Sequence, residues 1–165
     1  ARGENTQQRP VAVQVKRGAD SKLTGAEEIV LRQALEQPES FQSIRSQLSP
    51  ELFQPGSRRK LAEAIWRSYS DGMPASPLDL LQSLDEDTAK FLSRLTMQED
   101  QGPEKDQALG DSIRIILLAK LNEEYEAHRM QADEMLRQGD LNYVQELKNA
   151  QRILTKISDL AKSPG

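Results

Sequence analysis

A chain of 165 residues with 36% hydrophobic but only 4% aromatic side chains suits a Leu/Ile/Ala-rich helical core better than a β-sandwich, whose strands favour β-branched and aromatic residues. The lack of cysteine excludes a disulfide framework, a thiolate metal site and a cysteine nucleophile, as expected of a reducing compartment such as the cytoplasm. Net charge is −4, of which the first 22 residues contribute +3 (Arg2, Arg9, Lys16, Arg17 and Lys22 against Glu4 and Asp20) and the rest −7; so acidic a body argues against strong nucleic-acid binding, which draws its affinity from phosphate neutralisation, and favours a protein partner.

Residues 1–22 are polar and carry no helical stripe, so they read as a flexible linker or tail, although Val11, Val13 and Val15 alternate like a short strand. Thr24 with Glu27 three positions on forms a capping-box pattern ahead of Ile29, Leu31 and Leu35, which predicts a helix from about Gly25 to Gln37. Pro38 cannot continue that helix but suits the first turn of a second, ending near Leu48, with Phe41, Ile44 and Leu48 as its apolar stripe. Ser49-Pro50-Glu51 repeats the device for a single turn carrying Leu52 and Phe53. After Pro55-Gly56, Ser57 is the expected cap of a helix through Ser70 with Leu61, Ala64, Ile65 and Tyr69 on one face, closed by Asp71-Gly72. Ser76-Pro77 opens a short helix with Leu78, Leu81 and Leu84. Asp85 caps another with Ala89, Leu92 and Leu95. Helices this short depend on tertiary packing, so residues 23–101 are expected to form a bundle.

The pattern lengthens after a polar break from Gln98 to Pro103. From Glu104 to Gln138, Leu118, Leu121, Tyr125, His128, Ala132 and Met135 step by three and four, which is heptad spacing. Gly139-Asp140 stops that helix and starts the next, where Val144, Leu147, Gln151, Leu154 and Ala161 keep the same rhythm. So short a connection makes the two helices antiparallel over residues 102–162, with 163–165 as a tail. The expected seam pairs Met135 with Val144, Ala132 with Leu147, Tyr125 with Leu154 and Leu118 with Ala161. It also brings Glu126 to Arg152 and Glu123 to Lys156. The apolar run from Ile113 to Leu118 is expected to dock on the bundle and leave the far end of the hairpin projecting.

No catalytic constellation is legible. His128 falls on the hairpin seam, where a histidine is a packed side chain rather than a base or ligand, and one histidine without cysteine makes a transition-metal site improbable. Asp85, Glu86 and Asp87 suit a helix N-terminus better than a magnesium site. No glycine-rich phosphate loop exists, and no apolar run approaches the roughly 18 residues of a membrane span. Arg58, Arg59 and Lys60 read as a solvated helix face, with an acidic partner or phosphate as the functional alternative. Trp66 reads as a filler between helices, or else as an interface anchor. Tyr143, beside Val144 at the hairpin turn, is a candidate anchor for a partner groove, weighed equally against packing on Met135 or Leu136.

The layout as a whole resembles a known family. Ala26-Glu-Glu-Ile-Val-Leu-Arg-Gln-Ala-Leu35, Pro38-Glu-Ser-Phe41, Leu48-Ser-Pro-Glu-Leu-Phe53 and Arg58-Arg-Lys-Leu-Ala-Glu-Ala-Ile65, closed by Asp71-Gly72, are similar to the C-terminal domain of DnaG-type bacterial primases and the N-terminal domain of DnaB-type replicative helicases. Leu92-Ser-Arg-Leu95, a polar break, one long helix and a Gly-Asp-turned hairpin resemble the primase arrangement. The likeness covers about residues 24–162 and rests on the order and spacing of motifs that are individually degenerate.

It implies an all-α, monomeric, non-catalytic domain that binds the helicase N-terminal domains through its hairpin, recruiting primase to the replication fork and modulating helicase activity. Primer synthesis, with its zinc and magnesium, would belong to upstream domains, and no cofactor is expected in this chain. The candidate interface residues are Met135, Leu136, Tyr143, Val144 and Leu147. Two other readings remain. A helicase's own N-terminal domain would self-associate into rings. A generic helical scaffold, or a homodimer through the long helices, needs no helicase; the dimer would need a second apolar stripe on the hairpin, and residues 119–138 offer little beyond Met130.

Overall fold

The computed structural model describes residues 21–98 and 105–162 and, among them, is all-α, with seven helices. The tail 1–20 with its three valines, residues 99–103 of the polar break and the tail 163–165 lie outside the described residues. The helices are α1 (21–36), α2 (Pro38–Gln47), α3 (Ser57–Ser70), α4 (Pro77–Leu81), α5 (Glu86–Thr96), α6 (Lys105–Arg137) and α7 (Tyr143–Lys162), with a 3-10 turn at Pro50–Leu52. The chain divides into two compact units, and the boundary falls inside α6, between Ile113 and Arg114.

In the first unit α1 is the central element. Residues 30–35 are all buried, Arg32 and Gln33 included, and six successive residues span more than one helical turn, so this stretch is enclosed on every side. Ser21 and Lys22 belong to this helix rather than to a tail, and the capping box does not form. Thr24 lies inside the helix, where its hydroxyl accepts a hydrogen bond from the Gln54 side chain at 3.3 Å. The Glu27 carboxylate turns away to accept from the backbone N–H of Gln54 at 2.8 Å and from its Nε2 at 2.9 Å. A buried carboxylate near the loop's unpaired N–H gains more there than at an end the helix does not have.

The junction into α2 follows from Pro38. With no N–H and a ring that disfavours helical backbone at the preceding residue, it forces Gln37 to φ −129°, ψ 88°. Gln37 serves both helices: its N–H donates to the Gln33 carbonyl at 2.9 Å, and its carbonyl accepts from Ser40 N–H at 2.9 Å. α2 buries Phe41 and Ile44, with Leu48 just beyond its end, as its stripe predicts. Phe53, behind the 3-10 turn, is fully buried.

The cap of α3 is Gly56 rather than Ser57. At φ 107° the glycine turns the chain straight after Pro55, and its carbonyl accepts from Lys60 N–H at 3.0 Å, which leaves Ser57 as the first helical residue. α3 packs on α5 and on the 3-10 turn, and α4 packs on α5. Its buried residues are Leu61, Ala62 and Ile65. Trp66 is a filler, set edge-on to Phe41 (5.0 Å between ring centroids) and to Phe53 (5.8 Å), while Tyr69 stacks on Phe41 at 3.9 Å and donates its hydroxyl to the Ala34 carbonyl. α4 buries Leu80 and leaves Leu78 75% exposed, against the stripe read for it. α5 buries Thr88, Phe91, Leu92 and Leu95.

Asp85 caps α5, accepting from Thr88 N–H at 2.8 Å and from Lys60 Nζ at 2.9 Å. The Thr88 N–H and then Lys60 hold its carboxyl down to about 2, against an ordinary 3.8. A depressed folded pKa contributes stability that is present above the unfolded value and lost as pH falls through the folded one. The acid-unfolding profile of Asp85→Asn is therefore expected to be shallower than the wild type's between pH 3.8 and about 2, and an unchanged profile would refute the cap's role. Removing the Glu27 carboxylate leaves the Gln54 N–H unpaired inside the fold, so Glu27→Ala is expected to cost about 2 kcal/mol or more in urea unfolding.

Candidate functional site

The second unit is a helical hairpin made by α6 from Arg114 onward and by α7. Gly139 closes α6 at φ 77°, with Asp140 N–H donating back to the Met135 carbonyl at 2.8 Å and Gly139 N–H to Leu136 at 3.1 Å. Gly72 closes α3 in the same way at φ 82°, and this left-handed position favours glycine because a Cβ would strain it. The Asp140 carboxylate then accepts from Asn142 N–H at 2.9 Å, and the chain enters α7.

On α6 the shielded positions are the expected ones: Ala132 is buried, Tyr125, His128 and Met135 are half-buried between exposed neighbours, and Leu121 is half-buried beside the exposed Asn122. On α7 the expected face is wrong by one residue. Ala150 and Ile153 are buried and Tyr143, Glu146, Ile157 and Leu160 half-buried, whereas Val144, Leu147, Gln151, Leu154 and Ala161 are all exposed. One residue is about 100° of rotation on an α-helix. The residues expected to pair with Met135, Ala132, Tyr125 and Leu118, namely Val144, Leu147, Leu154 and Ala161, are therefore not the enclosed positions of α7. The cross-helix polar contact is instead His128 Nδ1 with Glu146 Oε2 at 2.6 Å. Glu126 pairs with Arg129 at 3.8 Å and Glu123 with Lys120 at 3.9 Å, both within α6, so neither meets its expected partner on α7.

This rotation leaves a second apolar stripe on the outside of α7. Val144 is 44% exposed, Leu147 45% and Leu154 39%, with Leu136 at 55% and Leu141 at 82% at the turn. Of the five candidate interface residues, Leu136, Val144 and Leu147 thus lie open, while Met135 and Tyr143 are half-buried. Leu141 and Leu154 were not among the candidates. The signal for Leu154 was present in the sequence, because α7 carries two stripes one residue apart and only one can close a two-helix seam.

Beside the open stripe, on the side away from the seam, α7 places Lys148, Arg152, Lys156 and Lys162 at helical spacing, with Asp159 the one carboxylate among them. Lys148, Arg152 and Lys156 make no ion pair among the described residues.

The other singled-out groups have internal partners. Arg58 and Arg59 are not simply solvated, since Arg58 binds Glu28 at 2.7 Å and Arg59 donates to the carbonyls of Phe53 and Glu51, whereas Lys60 is exposed, as the solvated face predicts, and pairs with Asp85 at 2.9 Å. Burial raises the Glu27 carboxyl above its ordinary range, in spite of Gln54 and Arg58. Burial acts in the same sense on Glu28, where hydrogen bonding from Arg58, with Arg94 and Gln98, outweighs it and holds that carboxyl below its ordinary range. No group of three or more metal-ligating side chains is gathered among the described residues, and no described helix is long and apolar enough to cross a membrane. The exposed outer face of α7 is the candidate site, an apolar stripe beside cations unpaired among the described residues.

No protein-family model matches this chain, and no curated protein matches it in sequence. The assignment of faces is directly testable. Ile153→Ala removes buried volume from the seam and is expected to cost about 1–3 kcal/mol, whereas Leu154→Ala on the open face is expected to stay within about 0.5 kcal/mol. Equal costs in chemical denaturation would mean that both faces are packed.

Proposed function

We propose that this chain is a non-catalytic interaction domain of the kind found at the C-terminus of bacterial primases, which binds the N-terminal domains of the replicative helicase, recruits primase to the replication fork and modulates the helicase. The observation that carries the proposal is the apolar stripe left open on α7 after the hairpin has closed its own seam. Exposed leucines and a valine aligned along one helix are a cost in water unless a partner covers them. The order of elements supports the same reading, since short proline-started helices followed by a long helix and a Gly-Asp-turned hairpin follow the layout that the primase domain resembles.

The α7 stripe also favours a second reading, a homodimer, since it supplies the outward apolar face that residues 119–138 lack. Sedimentation separates the two. The chain alone at concentrations on the order of tens of micromolar is expected to sediment as a monomer, and to co-sediment when mixed with the replicative helicase of its own organism. Leu147→Asp, confirmed folded by circular dichroism, is expected to abolish the complex, while Leu78→Asp, on the exposed side of α4, is expected to retain it. A dimer without helicase binding would replace this proposal with the second reading.

A further inference from the structure

Around α7 three bands follow one another. The seam of Ala150 and Ile153 comes first, then the open stripe of Val144, Leu147 and Leu154 about 110° away, then a basic band of Lys148, Arg152, Lys156 and Lys162 about 110° further round. The stripe runs from Val144 to Ala161, a rise of about 25 Å, or nearly five helical turns. Its positions 144, 147, 151, 154, 158 and 161 repeat at three and four residues, with Gln151 and Ser158 as its polar members, a spacing that another helix reads. From this we infer that α7 docks one amphipathic helix of a partner protein, whose apolar residues cover Val144, Leu147 and Leu154 and whose acidic side chains border them on the side of Lys148, Arg152 and Lys156.

Charge decides among the possible occupants. Three cations of α7 that have no ion pair within the described chain are complemented by carboxylates on the incoming helix, which orient it and speed its association. A second copy offers the wrong charge: two α7 helices meeting antiparallel across this stripe bring Lys148, Arg152, Lys156 and Lys162 against their own counterparts, and like charges in such flanking positions oppose pairing. A nucleic-acid backbone would neutralise the band but leave the stripe in water. An anionic membrane surface would meet only a narrow apolar band, because the neighbouring face of α7 is committed to the hairpin seam. The inference specifies the chemistry of the partner surface and rests on the reading that the hairpin is the docking element, so its test separates the two.

The full chain, labelled with 15N, is titrated with three synthetic helical peptides of one length: a leucine stripe flanked by glutamate, the same stripe flanked by lysine, and an alanine stripe flanked by glutamate. Amide shifts are expected on α7 with the first peptide, and binding at least about tenfold weaker with the other two. Lys148→Glu, Arg152→Glu and Lys156→Glu combined, all at exposed positions, are expected to exchange the preference between the first two peptides. Equal binding of acidic and basic peptides, shifts elsewhere on the chain, dimerisation through α7, or tighter binding of a single-stranded oligonucleotide or of phosphatidylserine vesicles would each overturn the inference. If the helicase binds the wild type and the triple variant equally, the charge assignment fails while the helicase reading stands. If the acidic peptide binds α7 but the helicase does not, the helicase reading fails while the inference stands.

Discussion

Two adjacent carboxylates on α1 tie the first unit together. Glu27 accepts both donors of Gln54, which anchors the loop between the 3-10 turn and α3, and Glu28 collects Arg58 from α3, Arg94 from α5 and Gln98 just beyond α5. Arg32, one turn further along α1, donates to Gln98 at 2.7 Å. Three segments distant in sequence are thereby registered against one helix. Burying charge so deeply contributes little net stability, because desolvation offsets much of the attraction, and the raised Glu27 titration records that penalty. What such contacts give is definition, since a helix slipped by one turn would strand buried ions and an unpaired loop N–H.

Around that hub the apolar packing is ordinary for a helical bundle with few aromatics. Phe41, Phe53, Trp66 and Tyr69 gather into one aromatic group between α2, the 3-10 turn and α3, while α5 buries Phe91 beside Leu92 and Leu95. Arg58 and Arg94 also lie over the Phe91 ring, at 5.1 and 5.3 Å from its centroid, so the cations that serve Glu28 cover an aromatic face as well. Of the basic triplet at the start of α3, Arg58 and Arg59 are thus committed to internal partners, while Lys60 stays exposed in its pair with Asp85. The unpaired cations of α7 have no such commitment, and this contrast directs attention to the hairpin.

Much of this architecture was legible in the chain. Pro38, Pro50 and Pro77 each sit at or next to the first position of a helical segment, and Gly72 and Gly139 each end a helix, because proline and glycine act through the local backbone with no help from tertiary contacts. Asp85 was readable for the same reason, as its cap is completed three residues away. Thr24 and Glu27 misled because their spacing matches a capping box, while the donor that Glu27 uses, Gln54, lies 27 residues off and cannot be found by a local pattern.

On the hairpin, the two helix lengths, the turn and the shielded face of α6 were set by the sequence, since one apolar stripe and one glycine stop leave no alternative. The seam of α7 was not, because Tyr143, Glu146, Ala150, Ile153, Ile157 and Leu160 form one stripe and Val144, Leu147, Gln151, Leu154 and Ala161 another, rotated by a single residue. Periodicity cannot rank two stripes of the same period. The choice belongs to the tertiary structure, where Glu146 meets His128 and Ala150 and Ile153 are the residues enclosed. That choice turns a basic band and an apolar stripe outward together.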